Sequence, residues 1–259
     1  MAVRSFNGVP APRASEEELM RIFSIVLSLL VTPALALADD ANKDNRKWTV
    51  ELQAGPYQPR IDSQFATSEG SKLPPYETTF GDESPILVNI GFDRHIFHLL
   101  GPISLGVTAG FWSVKGEAIS IDGSDSEASD RTDMEIYPLA AQLSYRLDAF
   151  ARHLPIVPTA RVGLDYYLWQ ILDGSGNVAN FDSTHQAMGA THGWHYSVGF
   201  QLLLDALAED MARDFQFNAG VQNSFITFEY RSSQIDDFGS ANSFRLGDDA
   251  FFIGLALDL

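Results

Sequence analysis

FFIGLALDL (residues 251–259) alternates strictly: Phe251, Ile253, Leu255, Leu257 and Leu259 fall on one face, and Phe252, Gly254, Ala256 and Asp258 on the other. A period of two marks a β-strand. One face is wholly apolar, and the sequence carries no polar tail behind it. An unpaired apolar strand edge invites aggregation, and chain ends ordinarily fray into water. The stretch therefore predicts a strand that closes a sheet on itself, with its apolar face turned to a medium other than water.

The same period recurs upstream. Trp48 to Gly55 sets Trp48, Val50, Leu52 and Ala54 against Thr49, Glu51, Gln53 and Gly55. Residues 86–93 set Ile86, Val88, Ile90 and Phe92 against Leu87, Asn89, Gly91 and Asp93. Residues 103–112 set Ile103, Leu105, Val107, Ala109 and Phe111 against Ser104, Gly106, Thr108, Gly110 and Trp112. A fourth strand, 134–146, has Pro138 in its middle, which predicts a bulge. A fifth is expected at 159–169 and a sixth at 193–204. A seventh, about 216–230, begins with Phe217, Ala219 and Val221 and then loses its pattern. With the closing stretch, eight strands of about 9–11 residues are expected.

The predicted connections alternate in length. Long polar segments are expected at 57–84, 117–131, 171–190 and 231–247, shorter ones at 97–102, 148–156 and 206–214. Long loops on one side and short turns on the other are how an up-and-down transmembrane barrel is built, both barrel ends then lying on the short-turn side. A soluble eight-stranded barrel has the same strand count with its apolar face turned inward. Two features favour the membrane form. The faces with Ser104, Gly106, Thr108 and Gly110 suit a crowded interior, and Trp48, Phe111, Tyr145, Tyr166, Trp194 and Tyr196 place aromatics near strand ends, as an interfacial girdle does.

Upstream of the strands, MRIFSIVLSLLVTPALALADD begins at Met20 with one Arg, an apolar run to Leu37 and the small-residue pattern Ala36-Leu37-Ala38. This reads as a secretory signal peptide, residues 20–38, cleaved near Ala38. Residues 1–19 read as an upstream extension before a start at Met20, 39–46 as a polar leader and 47–259 as the barrel. The chain contains no Cys, which excludes disulfides, thiol chemistry and a lipid-modified Cys after the signal. Its net charge is −17, and residues 1–38 contain as many basic as acidic residues, so the exported part keeps that charge. Nucleic acid is an unsuitable partner, because binding it needs a basic face.

With the apolar faces outward, the interior gathers Glu51, Asp93, Asp165 and Asp258 with Arg146 and Arg161. Unpaired buried charges are costly, so ion pairs across the lumen are expected, as a packed polar core rather than a conduction path. Eight strands leave an interior only wide enough for side chains.

The segments AGPYQPRIDS (54–63), PPYETTFGD (74–82), YRLDAFARHLPIVPTARVGLDYYLW (145–169), LLLDALAEDMARDF (202–215) and GVQNSFITFEY (220–230) resemble a family of uncharacterised outer-membrane β-barrel proteins found chiefly in myxobacteria. The resemblance implies the fold and an outer-membrane location in a Gram-negative bacterium, and no activity. It further implies that the last strand, Phe251 to Leu259, is recognised by the barrel-assembly machinery. Such barrels usually end in Phe, and this sequence ends in Leu259. Within these segments Leu204, Leu207 and Met211, with Glu209, Asp210, Arg213 and Asp214 around them, predict a short amphipathic helix in the third periplasmic turn. PPYETTFG predicts an ordered first loop.

Few residues point to chemistry. His195 and Ser197 share one strand face two residues apart, resembling the H-x-S arrangement of eight-stranded outer-membrane lipid A deacylases, but no acid is assigned and the face reads as lumen. His192 and His195 point to opposite faces and make no metal pair. The loop IDGSDSEASD (121–130) offers Asp122, Asp125, Glu127 and Asp130 to a cation, though not in EF-hand spacing, and reads as a solvated external loop. LDGSGN (172–177) is a turn and not a phosphate loop. No cofactor is expected. The reading is an eight-stranded antiparallel transmembrane barrel in outer-membrane lipid, with a structural or interaction role. A lipid-modifying enzyme, a narrow channel and a soluble periplasmic ligand-binding barrel are the alternatives.

Overall fold

Eight antiparallel strands, each paired to the next and the last to the first, form a closed barrel. They are β1 (Trp48–Pro56), β2 (Ile86–His98), β3 (Pro102–Glu117), β4 (Arg131–Arg146), β5 (Ile156–Leu172), β6 (Met188–Leu203), β7 (Asn223–Ile235) and β8 (Asp249–Asp258). The computed structural model describes residues 47–64, 74–98, 100–117, 131–149, 154–180, 186–206, 215–240 and 243–259. The expected signal peptide, leader and acidic loop 121–130 lie outside these residues, as does most of the amphipathic helix expected from Leu204 to Asp214.

The register fixes the barrel's shape. From Trp48 the pairing runs to Arg94, Leu105, Leu143, Val162, Tyr196, Ser232 and Asp249. Trp48 itself exchanges backbone hydrogen bonds with Leu259, so one circuit is staggered by about ten residues. Over eight strands that stagger tilts them by roughly 40°, and each residue climbs about 2.5 Å along the axis. Where all eight strands are present, closure leaves no strand edge free.

The strands span 9 to 17 residues rather than the uniform 9–11 expected, because β3 to β6 run on beyond the others at the long-loop end. Pro138 causes no bulge. It pairs with Tyr167 on β5, and toward β3 the ladder skips two residues and resumes in the same register, since proline offers no N–H there. The bulge lies instead between His95 and Phe97, at the end of β2. β7 was misplaced by the pattern: residues 215–219 are helical and the strand begins at Asn223. The third turn therefore spans residues 204–222 and is as long as the loops at the other end, so the expected alternation of lengths fails there.

In the first loop, α1 (Pro75–Phe80) is ordered as PPYETTFG implied. Its free N-terminal amides of Tyr76 and Glu77 donate to the two carboxylate oxygens of Asp62 at 2.7 and 3.0 Å. In the third, Asp173 accepts from the N–H groups of Ser175 and Asn177, and Gly176 takes φ 80, as LDGSGN requires.

Candidate functional site

Outside the bulge at the end of β2 the strands keep their alternation, but the polarity of the two faces changes places partway up. In the lower part the outward residues are apolar. Leu52, Ile90, Leu105, Val107, Leu143, Val162, Leu164, Val198, Phe200, Ile253 and Leu255 are all exposed. Most of the inward residues there are polar or glycine: Glu51, Gln53, Asp93, Gln142, Arg146, Arg161, Asp165, His195, Ser197, Thr227 and Asp258 are buried. Above Phe111 on β3 the outward positions become Ser113 and Lys115, while Trp112 and Val114 point in. On β4, Met134 and Ile136 point in above Tyr137, between the outward Asp133 and Glu135. β5 inverts likewise, with Tyr167 inward and Gln170 outward.

These inward apolar residues join Tyr57, Ile61, Tyr76 and Leu246 from the loops in one buried cluster that seals the lumen at the long-loop end. Tyr57 meets the Trp112 ring edge-on at 5.3 Å, and its hydroxyl donates to the Leu246 carbonyl. Trp112 Nε1 donates to the Pro85 carbonyl at 3.2 Å. Burial pushes the phenols of Tyr57 and Tyr76 up, so both stay neutral. A smaller cluster of Val157, Phe225 and Ala256 sits toward the other end.

Between the two clusters lie the charged residues expected in the lumen. Arg161 on β5 reaches Glu51 on β1, four strands away across the lumen, and Glu229 on β7 at 2.9 Å. Arg146 on β4 holds Asp258 on β8 with two bonds of 3.0 and 2.8 Å, again four strands apart, and Thr49 donates to the same carboxylate at 2.7 Å. Asp93 accepts from Gln142 at 3.1 Å. Asp165 accepts from the His195 ring at 2.8 Å. Arg231 completes the set, binding Glu229 at 2.9 Å and the Gln53 carbonyl at 2.8 Å. Glu229 and Arg231 were missed because both lie on β7. The signal was present: Phe228 and Tyr230 alternate with Thr227, Glu229 and Arg231.

The small inward residues make room for these side chains. A Cβ on Gly106 would stand 1.6 Å from Asp93 Oδ1, and one on Gly163 would stand 2.4 Å from His195 Cε1. One cavity among the described residues, about 20 Å³ between Thr49, Asp93, Arg146, Arg161 and Gln201, has room for about one water molecule.

His195 and Ser197 are both buried in this lumen, 2% and 1% exposed. Asp165 is an acid on His195 Nδ1, but His195 Nε2 and Ser197 Oγ each lack a hydrogen-bond partner among the described residues, so the contact between base and nucleophile is not made. His192 lies outside, bonded to Asp237 at 3.1 Å, with its ring tilted against Tyr166 at 4.8 Å. Asp122, Asp125 and Glu127 lie outside the described residues. Among those described, no group of three or more acidic or His side chains is placed to hold a metal. No described helix is long and apolar enough to cross a membrane.

The chain is thus a closed, eight-stranded, antiparallel up-and-down β-barrel with a filled lumen. No family model matches it, and no curated protein does. Among solved structures it is similar to Neisserial surface protein A (11% identity, TM-score 0.46, covering 83% of this chain and 98% of that one). It is also similar to the attachment invasion locus protein of Yersinia pestis bound to a heparin analogue (13%, TM-score 0.38, 82% and 97%). The N-terminal barrel domain of Pseudomonas aeruginosa OprF matches at 9% identity and TM-score 0.38, covering 82% and 97%.

Proposed function

We propose that this chain is an integral outer-membrane β-barrel protein with a structural or interaction role and no catalysis. The observation that supports it is the inversion of polarity with height. Where the outside is apolar the inside is ion-paired, and where the outside is polar the inside is an apolar core. Water on all sides would favour the second arrangement throughout. A hydrocarbon layer around the lower part favours the first, and an apolar band of about ten residues at 2.5 Å each comes to about 25 Å, the height of such a band in outer-membrane barrels. Aromatics at its upper border, with Phe111 against Tyr137 at 5.4 Å and Tyr230 against Phe251 at 5.1 Å, suit the girdle at a headgroup boundary.

The family resemblance agrees with this reading, as does export by a signal peptide cleaved near Ala38. In this account β8, with Phe251, Ile253, Leu255, Leu257 and Leu259, is the strand that the assembly machinery reads. Replacing Leu257 and Leu259 by Ser is expected to cut insertion in cells while leaving refolding into detergent unchanged. Equal loss in both would make the effect one of stability alone. The loops at the far end, rich in Asp, Ser and Gly, are the surface open to partners.

The proposal is tested by fractionation. The chain is expected in the outer membrane, extractable only by detergent, with gel mobility that shifts on boiling. Recovery with soluble periplasm would overturn it. The sealed lumen supports a barrel that does not conduct, and planar bilayers are expected to stay silent. The missing contact between His195 and Ser197 supports a non-catalytic role. Overproduced wild-type and His195→Ala proteins are expected to leave the membrane lipid profile identical, and a lipid change abolished by that substitution would restore the enzyme reading.

A further inference from the structure

Arg94 departs from the pattern that carries the proposed function. It lies on the outward face of β2 between Phe92 and Ile96, paired across the ladders with Trp48 and Leu105. Every other outward neighbour on these strands at that level is apolar, yet Arg94 is exposed and no carboxylate among the described residues forms an ion pair with it. Its guanidinium carbon stands 5.4 Å from the Trp48 ring centroid, so the ring holds the group on one face and leaves its N–H edge open. Trp48 begins β1, beside the short turns and the Leu259 end of the barrel.

We propose that Arg94, seated on Trp48, binds the phosphate of a phospholipid headgroup in the leaflet facing the short turns. This rests on the membrane reading of the barrel. A lipid-facing arginine at the middle of a bilayer costs about 2–4 kcal/mol, but near an interface the cost falls toward zero because the side chain snorkels to the headgroups. Its planar fork matches two phosphate oxygens, which a carboxylate-free apolar surround leaves as its available partner. The indole contributes at the same boundary, where amphipathic rings collect.

The test uses full-length protein folded in a neutral detergent and titrated with dioctanoyl phosphatidic acid, following the Arg94 Nε and Trp48 indole signals by NMR. Saturable shifts of both are expected, with affinity reduced about tenfold in Arg94→Gln, the loss of one charge-assisted contact. Dioctanoylglycerol, which has the tails without phosphate, is expected to leave both signals in place. Inorganic phosphate shifting them equally would assign a free-anion site and overturn the lipid claim. So would equal shifts in Arg94→Gln. Boiling-dependent gel mobility is read on each sample: if it is present and the phosphate response absent, this inference alone falls, and if wild-type protein is folded and soluble without detergent, the membrane reading falls with it. Trp48→Phe, which keeps a ring of weaker quadrupole, is expected to bind between wild type and Arg94→Gln.

Discussion

Arg161 shows how a single residue ties the barrel together. From β5 its guanidinium bridges Glu51 on β1, across the lumen, and Glu229 on β7, two strands away, and all three side chains are buried. Removing the cation leaves a buried carboxylate without its partner, which costs about 3–5 kcal/mol. Arg161→Met is expected to lower stability by that amount in urea unfolding from lipid vesicles, and Glu51→Gln added to it is expected to restore part of the loss. Additive losses in the double variant would mean that the pair is not coupled. The exposed pair of Arg60 and Asp249 provides the contrast, and Asp249→Asn is expected to change stability by less than about 1 kcal/mol. Gly163 belongs to the same scale. Gly163→Val drives a side chain into the His195 ring, and an overpacking loss of about 1–3 kcal/mol is expected.

At the scale of elements, the connection after β7 is pinned by one carboxylate. Asp237, in the left-handed region at φ 51, accepts from the His192 N–H at 2.7 Å, and its own N–H donates to the His192 carbonyl. Partial burial pushes the Asp237 carboxyl up, but the bonds from the His192 amide, Ser243 and the His192 ring outweigh it and hold it below the ordinary carboxylate value. A depressed folded value means that this contribution is fully present above the unfolded pKa of about 3.9 and is lost as pH falls through the lower folded value. Hydrogen exchange at the His192 amide, corrected for its intrinsic rate, is expected to accelerate below about pH 4, and Asp237→Asn is expected to flatten that dependence. An unchanged pH profile in the variant would remove Asp237 as the cause.

Elements also mark what could be read from the sequence. Along β1, β2, β3, β5 and β8 a period of two assigned every face, because one face is apolar over a long run. β7 was lost for a physical reason. Its outer half rises where the outward face is polar, so Tyr230 is followed outward by Ser232 and Gln234, while Phe217 and Ala219 imitate strand spacing inside a helical turn. The apolar seal was not legible either, since Tyr57, Ile61, Tyr76 and Leu246 come from loops and meet only in three dimensions. Its trace in the sequence is the change of face polarity along β3 and β4, a pattern that uniform alternation hides.

For the whole molecule, the account holds that the lower part of the barrel is turned inside out relative to a water-soluble protein. A charge placed outward should therefore cost most in the middle of the apolar band. Val162→Arg is expected to destabilise the protein by about 2–4 kcal/mol in vesicles, and Ser113→Arg, above the band, by about 1 kcal/mol or less. Equal costs would deny a band. The stretch FFIGLALDL tests the claim most directly, and a chain without cysteine allows each of its positions to be labelled singly. A nitroxide scan of residues 251–258 in lipid bilayers, read by collision with oxygen and with a water-soluble nickel complex, should give a period of two. The account predicts high oxygen and low nickel accessibility at 251, 253, 255 and 257, with both reagents excluded at 252, 254, 256 and 258. Nickel accessibility at 253 and 255, or the opposite phase, would contradict it.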